Sequence, residues 1–127
     1  MKLPAGKYFV GDPCYVFNDG WSRLLHEADF FEDDAIVTFN GHNLFATHTA
    51  YGDGLYSDQN GHMYPVDSGL IGAVPSALWE RDAGDKAGMI VVFDSDLEVG
   101  HGSKHWGFIR IGDILIDTVQ DGDGDEQ

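Results

Sequence analysis

Carboxylates have the strongest claim to chemistry in this chain. Asp12, Asp53, Asp58 and Asp67 fall in the stretches GDP, YGDG, YSDQNG and VDSG, each at the end of an extended run or in a turn. Loops carried by a rigid sheet are where sites are often built. Hard cations such as Mg²⁺ or Ca²⁺ take oxygen ligands. Convergence of Asp12, Asp53, Asp58 and Asp67, with His62 beside them, would therefore make a divalent-metal site and the core of a metal-dependent hydrolase. The competing reading is local, because an aspartate side chain forms turns by hydrogen-bonding to nearby backbone. Asp58 and Asn60 stand where a hairpin wants them. Asp53 and Asp67 are harder to explain that way. A hairpin turning at Gln59–Gly61 carries both of them to the same end of its two arms.

Other chemistries find less support. Cys14 lies between Pro13 and Tyr15, close to Asp12, with no base or positive field to make it a thiolate; it reads as a buried structural thiol. Ser68 in VDSG lacks the G-x-S-x-G frame of a nucleophile elbow. His26, His42, His48, His62, His101 and His105 are scattered, with no H-E-x-x-H and no cysteine pair, so a tetrahedral zinc site is not expected. His101-Gly102-Ser103 is a single H-x-S tripeptide, where acid–base work by two histidines would need a second. His48 sits in the alternating run LFATHTA and is read as facing inward, a satisfied core histidine. Neither G-x-x-x-x-G-K nor a strand followed by G-x-G-x-x-G is present, which argues against ATP or NAD. No cofactor is expected beyond the Mg²⁺ or Ca²⁺ of the carboxylate reading.

The elements that must position these residues are mostly strands. GKYFVGDP alternates Tyr8 and Val10 with Phe9, as a strand buried on both faces would, and Gly11-Asp12-Pro13 breaks it. CYVF is expected to continue as a short extended piece. NDGWSRLLHEADFFEDD is the one convincing helix. Trp21, Leu24, Leu25, Ala28 and Phe31 recur at helical spacing, Asn18 or Asp19 is placed to cap it, and its end is expected near Phe30 or Phe31. AIVTF and LFATHTA flank Asn40-Gly41, a hairpin signal, since these residues accept positive φ. GLYSD and HMYPV flank Gln59-Asn60-Gly61, and HWGFIRI and ILIDT flank Gly112-Asp113, as two further hairpins. LIGAV reads as a short strand, PSALWERDAGDKAG as a helical turn and loop, LEVG as a weak strand, and MIVVF as a central strand because it is apolar throughout.

The chain of 127 residues is long enough for one domain, and 43% hydrophobic residues can supply its core. With 17 Gly against 4 Pro, many tight turns between short strands are favoured. The fold class expected is mainly β (α+β): an antiparallel sheet or barrel of about eight to ten short strands with one helix packed on it. The single domain covers 1–119, and 120–127 form an acidic flexible tail.

Acids outnumber bases 22 to 7, for a net charge of −15. Such a chain repels phosphate backbones and anionic membranes, so neither nucleic acid nor membrane is an expected partner. The acidity serves solubility, metal binding, a basic protein partner, or mimicry of a nucleic acid's charge. One cysteine excludes an internal disulfide and suits the cytoplasm. The start, MKLPAGKYFVGDP, has no apolar run of the kind a signal peptide needs.

The segments GDPCY, YGDG and VDSGLIG, the Trp-bearing helix and GFIRIGDILIDT together resemble a group of small uncharacterised proteins encoded mainly in bacteriophage genomes. The resemblance spans nearly the whole chain apart from the acidic tail. It implies a protein that works in the host cytoplasm on a host factor, and it carries no established activity. The function expected is that of a small acidic accessory protein, a non-enzymatic protein-binding module for a basic host or phage protein. The alternatives are the carboxylate-based metal hydrolase or metal-binding module and the charge mimic.

Overall fold

Side chains on alternate residues of several strands are demanded by two separate cores, and that double demand sets the architecture. The computed structural model describes residues 1–32, 35–83, 87–101 and 108–118. In chain order the strands are β1 (Lys2–Leu3), β2 (Gly6–Gly11), β3 (Ile36–Phe39), β4 (His42–His48), β5 (Gly54–Asp58), β6 (Met63–Val66), β7 (Leu70–Pro75), β8 (Gly88–Phe93), β9 (Leu97–His101), β10 (Phe108–Ile111) and β11 (Ile114–Asp117). They form two antiparallel sheets, ordered β1-β9-β10-β11-β5-β6 and β3-β4-β7-β2-β8. The one α-helix among the described residues, α1 (Gly20–Glu27), packs on the second sheet. The fold is thus mainly β, a small domain of two sheets and a helix.

Tyr8 and Val10 of β2, Phe45 of β4 and Ile71 and Ala73 of β7 point into the core between the sheets. There they meet Tyr56, Tyr64, Ile109, Ile111 and Ile116. The intervening Phe9, Leu44, Ala46, Leu70 and Val74 point the other way, against Leu24, Ala28 and Phe31. Phe9 is wholly buried. Sequestering a side chain of that size contributes about 1.5–3 kcal/mol. β2, β4 and β7 therefore carry apolar residues on both faces, as expected of GKYFV.

The turns follow local chemistry. Asn40 (φ 50°) and Gly41 (φ 84°) both adopt left-handed backbone between β3 and β4, the requirement of a type I′ turn. The Gln59–Gly61 and Gly112-Asp113 turns join β5 to β6 and β10 to β11 as expected.

Four expectations are corrected. CYVF is not extended: Pro13–Val16 form a 3-10 turn, because the Asp12 side chain accepts the Cys14 N–H and starts one. α1 ends at Glu27 rather than near Phe30. Asp29, Phe30 and Phe31 take positive φ, turning the chain so that Phe31 returns to the core and Phe30 is left exposed. His48 points outward, with Nε2 3.0 Å from the Phe30 carbonyl oxygen and 3.4 Å from Glu32. MIVVF, as β8, lies at the edge of its sheet among the described residues and not at its centre. The tail over 120–127, the Gly102-Ser103 pair and His105 lie outside the described residues.

Candidate functional site

The GDPCY and VDSG segments meet where β2 ends and β7 begins. These strands pair with Gly11 opposite Gly72, so the residues leaving β2 and those entering β7 are neighbours. Asp12 sits at that junction, fully buried. Its carboxylate accepts four hydrogen bonds: from Cys14 N–H (3.0 Å) and Ser68 Oγ–H (2.7 Å) at Oδ1, and from Asp67 and Ser68 N–H (both 2.7 Å) at Oδ2. A buried carboxylate is tolerated when its acceptor positions are filled in this way. Asp12 therefore ties the 3-10 turn to a corner 55 residues away. Tyr15 extends the tie, its hydroxyl donating to Asp67 Oδ2 at 2.6 Å.

Around this junction lies an open cleft of about 640 Å³. Its walls are Cys14, Phe17, Asn18, Asp19, Trp21, Asp67, Ser68 and Arg81. Trp21 is half-buried and stacks on Phe17, with ring centroids 6.0 Å apart and planes 30° apart. Asp19 and Asp67 are exposed at its edge. Arg81 crosses behind them, donating through Nε to the Tyr15 carbonyl (2.9 Å) and through a terminal nitrogen to the Cys14 carbonyl (3.2 Å). Glu80, beside it, accepts the Asn18 N–H and, at 3.1 Å, the Gly20 N–H. Glu80 is thus the cap of α1. Neither Asn18 nor Asp19 supplies a side-chain cap, contrary to expectation.

Burial raises the Cys14 thiol well above its usual pKa, and Asp12 adds to the effect. Arg81 opposes it more weakly. Cys14 is accordingly a neutral thiol at pH 7, without nucleophilic character. The Tyr15 phenol is also pushed up, by burial and then by its bond to Asp67. Ser68 holds its proton on Asp12, and no histidine is among the described residues lining the cleft. A serine nucleophile needs a base free to take its proton, and this carboxylate is already saturated.

The four aspartates singled out from the sequence do not gather. Asp12 and Asp67 meet, through the Asp67 backbone. Asp58 closes its own hairpin: Oδ1 accepts from Asn60 N–H (2.8 Å) and His62 N–H (3.0 Å), and Oδ2 accepts from the Tyr64 hydroxyl (2.8 Å). Burial first and Asp58 second raise the Tyr64 pKa. His62 Nε2 lies 2.9 Å from the Gly88 carbonyl oxygen, fastening that hairpin to β8. Asp53 is exposed just before β5, on the arm facing Asp67, because Gly54 pairs with Val66. Among the described residues no group of three or more His, Cys, Asp or Glu is placed to hold a metal ion.

Sequence reasoning missed Asp19, Trp21, Glu80 and Arg81 as site residues. For Trp21 the helical stripe pointed to the core, and only its half-exposure shows that it also lines the cleft. Nothing local marks Glu80 or Arg81, which reach the site across more than 60 positions. Comparison with protein-family models, curated proteins and solved structures gave no match for this chain.

Proposed function

We propose that the protein is a non-enzymatic binding module whose cleft beside Asp12 receives a lysine or arginine side chain of a basic protein partner. The observation that carries this reading is that the Trp21 ring, stacked on Phe17, lines the same open cleft as the exposed Asp19 and Asp67. A cation is attracted to an aromatic face and completes its interaction on a carboxylate. The net charge of −15 would speed the approach of such a partner. The groups with catalytic potential support the same reading: the Asp12 carboxylate is saturated, the Cys14 thiol is neutral and Ser68 lacks a free base. The resemblance to phage-encoded proteins is in keeping with a module that works in a host cytoplasm on a basic host or phage factor.

The test is an NMR titration with a short oligolysine peptide. The Trp21 indole N–H signal is expected to shift, the effect to fade between about 50 mM and about 500 mM salt, and Asp19→Asn with Asp67→Asn to weaken it. An unmoved Trp21 signal at low salt and excess peptide overturns the reading.

A further inference from the structure

β8 combines two features that native edge strands usually avoid: apolar side chains throughout and an edge that no other strand among the described residues covers. Gly88–Phe93, GMIVVF, contains no charge, and it closes the second sheet with β2 as its single strand partner among the described residues. Every second residue along it therefore points its backbone N–H and C=O away from the sheet. On the outer face Ile90 is 39% and Val92 66% exposed. On the inner face Val91 and Phe93 pack on the core between the sheets yet remain half-exposed to a cleft of about 650 Å³. The six residues of β8 offer an edge about 20 Å long.

The surroundings select the occupant. Asp94, Asp96, Glu98 and Asp113 stand exposed around that cleft, and Arg110 is the one base lining it among the described residues. A second copy of this chain would bring the same acidic rim against itself, each chain carrying a net charge of −15. Like charges brought together oppose association, whereas opposite charges guide it. An extended segment that carries its apolar residues and, toward its ends, basic residues on one face meets all three demands. Its backbone completes the ladder, its apolar side chains cover Val91 and Phe93, and its basic side chains reach the rim.

We propose that β8 is a strand-addition site for an extended, basic and apolar segment of a partner protein. This surface shares no residue with the cleft at Asp12. It stands whether or not that cleft binds a cation, and it adds a backbone-mediated mode of binding.

The probe is a seven-residue peptide with lysine at its first and seventh positions, valine at its third and fifth and threonine between, so that lysine and valine share a face; it is added to the isotope-labelled protein and followed by NMR and amide hydrogen exchange. Alternate amides of Met89–Phe93 are expected to exchange at least about tenfold more slowly at saturation, since an exposed edge amide becomes hydrogen-bonded. The charge-reversed pair Asp94→Lys and Asp113→Lys should weaken binding at least about tenfold without changing the melting temperature. Trp21→Ala, which disables the other cleft, should leave the β8 protection intact. Three results would overturn the proposal: unprotected β8 amides at peptide saturation, peptide-induced shifts confined to the Trp21 cleft, or a dimer that already protects β8 without peptide.

Discussion

Replacing Asp12 with alanine is the sharpest probe of the junction between the two motifs. The substitution deletes a fully buried carboxylate and strands the N–H groups of Cys14, Asp67 and Ser68 and the Ser68 hydroxyl. A hydrogen bond to a charged group contributes about 1.5–3 kcal/mol, and a buried donor left unpaired costs about 1–3 kcal/mol. Asp67 and Ser68 are exposed, so water can reach part of the vacated site, and a sum over all the bonds is an upper bound. The expected loss is about 3–5 kcal/mol, a large share of the roughly 5–15 kcal/mol that holds a domain together. For a chain of this length it corresponds to a fall in Tm of about 10–20 °C. Urea unfolding should show a lower midpoint with an unchanged slope, as a change in stability alone requires. Ser68→Ala removes one of the bonds and should cost about 1 kcal/mol. The double variant should lose less than the sum of the two, because the groups are in contact. A loss below about 1 kcal/mol for Asp12→Ala would refute the reasoning, since the carboxylate would then not be holding the corner in place.

Glu80→Ala should destabilise the protein by about 1–2 kcal/mol through loss of the α1 cap, read by urea unfolding; no change would mean that water caps the helix equally well. Stability should fall at alkaline pH: Cys14, Tyr15 and Tyr64 are all raised above their usual values of 9.0, 10.0 and 10.0, so the unfolded chain releases these protons first. Their contribution is complete below pH 9 and is lost as pH climbs toward the raised values; a urea midpoint constant from pH 8 to 11 would contradict this. Mg²⁺ or Ca²⁺ at about 5 mM should move the melting temperature by less than about 1 °C, whereas a rise of several degrees would support the aspartate–metal reading.

Local chemistry was legible in the sequence. Asn40-Gly41, Gln59-Asn60-Gly61 and Gly112-Asp113 announced their hairpins because a turn's backbone demands are met by the residues inside it. Asp58 could be assigned to its hairpin for the same reason: its backbone partners lie within four positions. The double-faced burial of β2 was readable from its unbroken apolar run. What the sequence could not specify was which distant groups share a space. MIVVF carries the composition of an interior strand, but composition reports how apolar the faces are and not how many strands pair at the edges. Asp12 looked like a turn former and is one toward Cys14; its other bonds come from Asp67 and Ser68, brought alongside only by the pairing of β2 with β7. Glu80 replaced Asn18 and Asp19 as the helix cap because a loop folded back within reach of the helix start. Turn and strand preferences are short-range, set by sterics and by hydrogen bonds between near neighbours. The cleft at Trp21 and the position of β8 at the edge of its sheet among the described residues arise from sheet order and long-range contacts, so only the tertiary structure decided them.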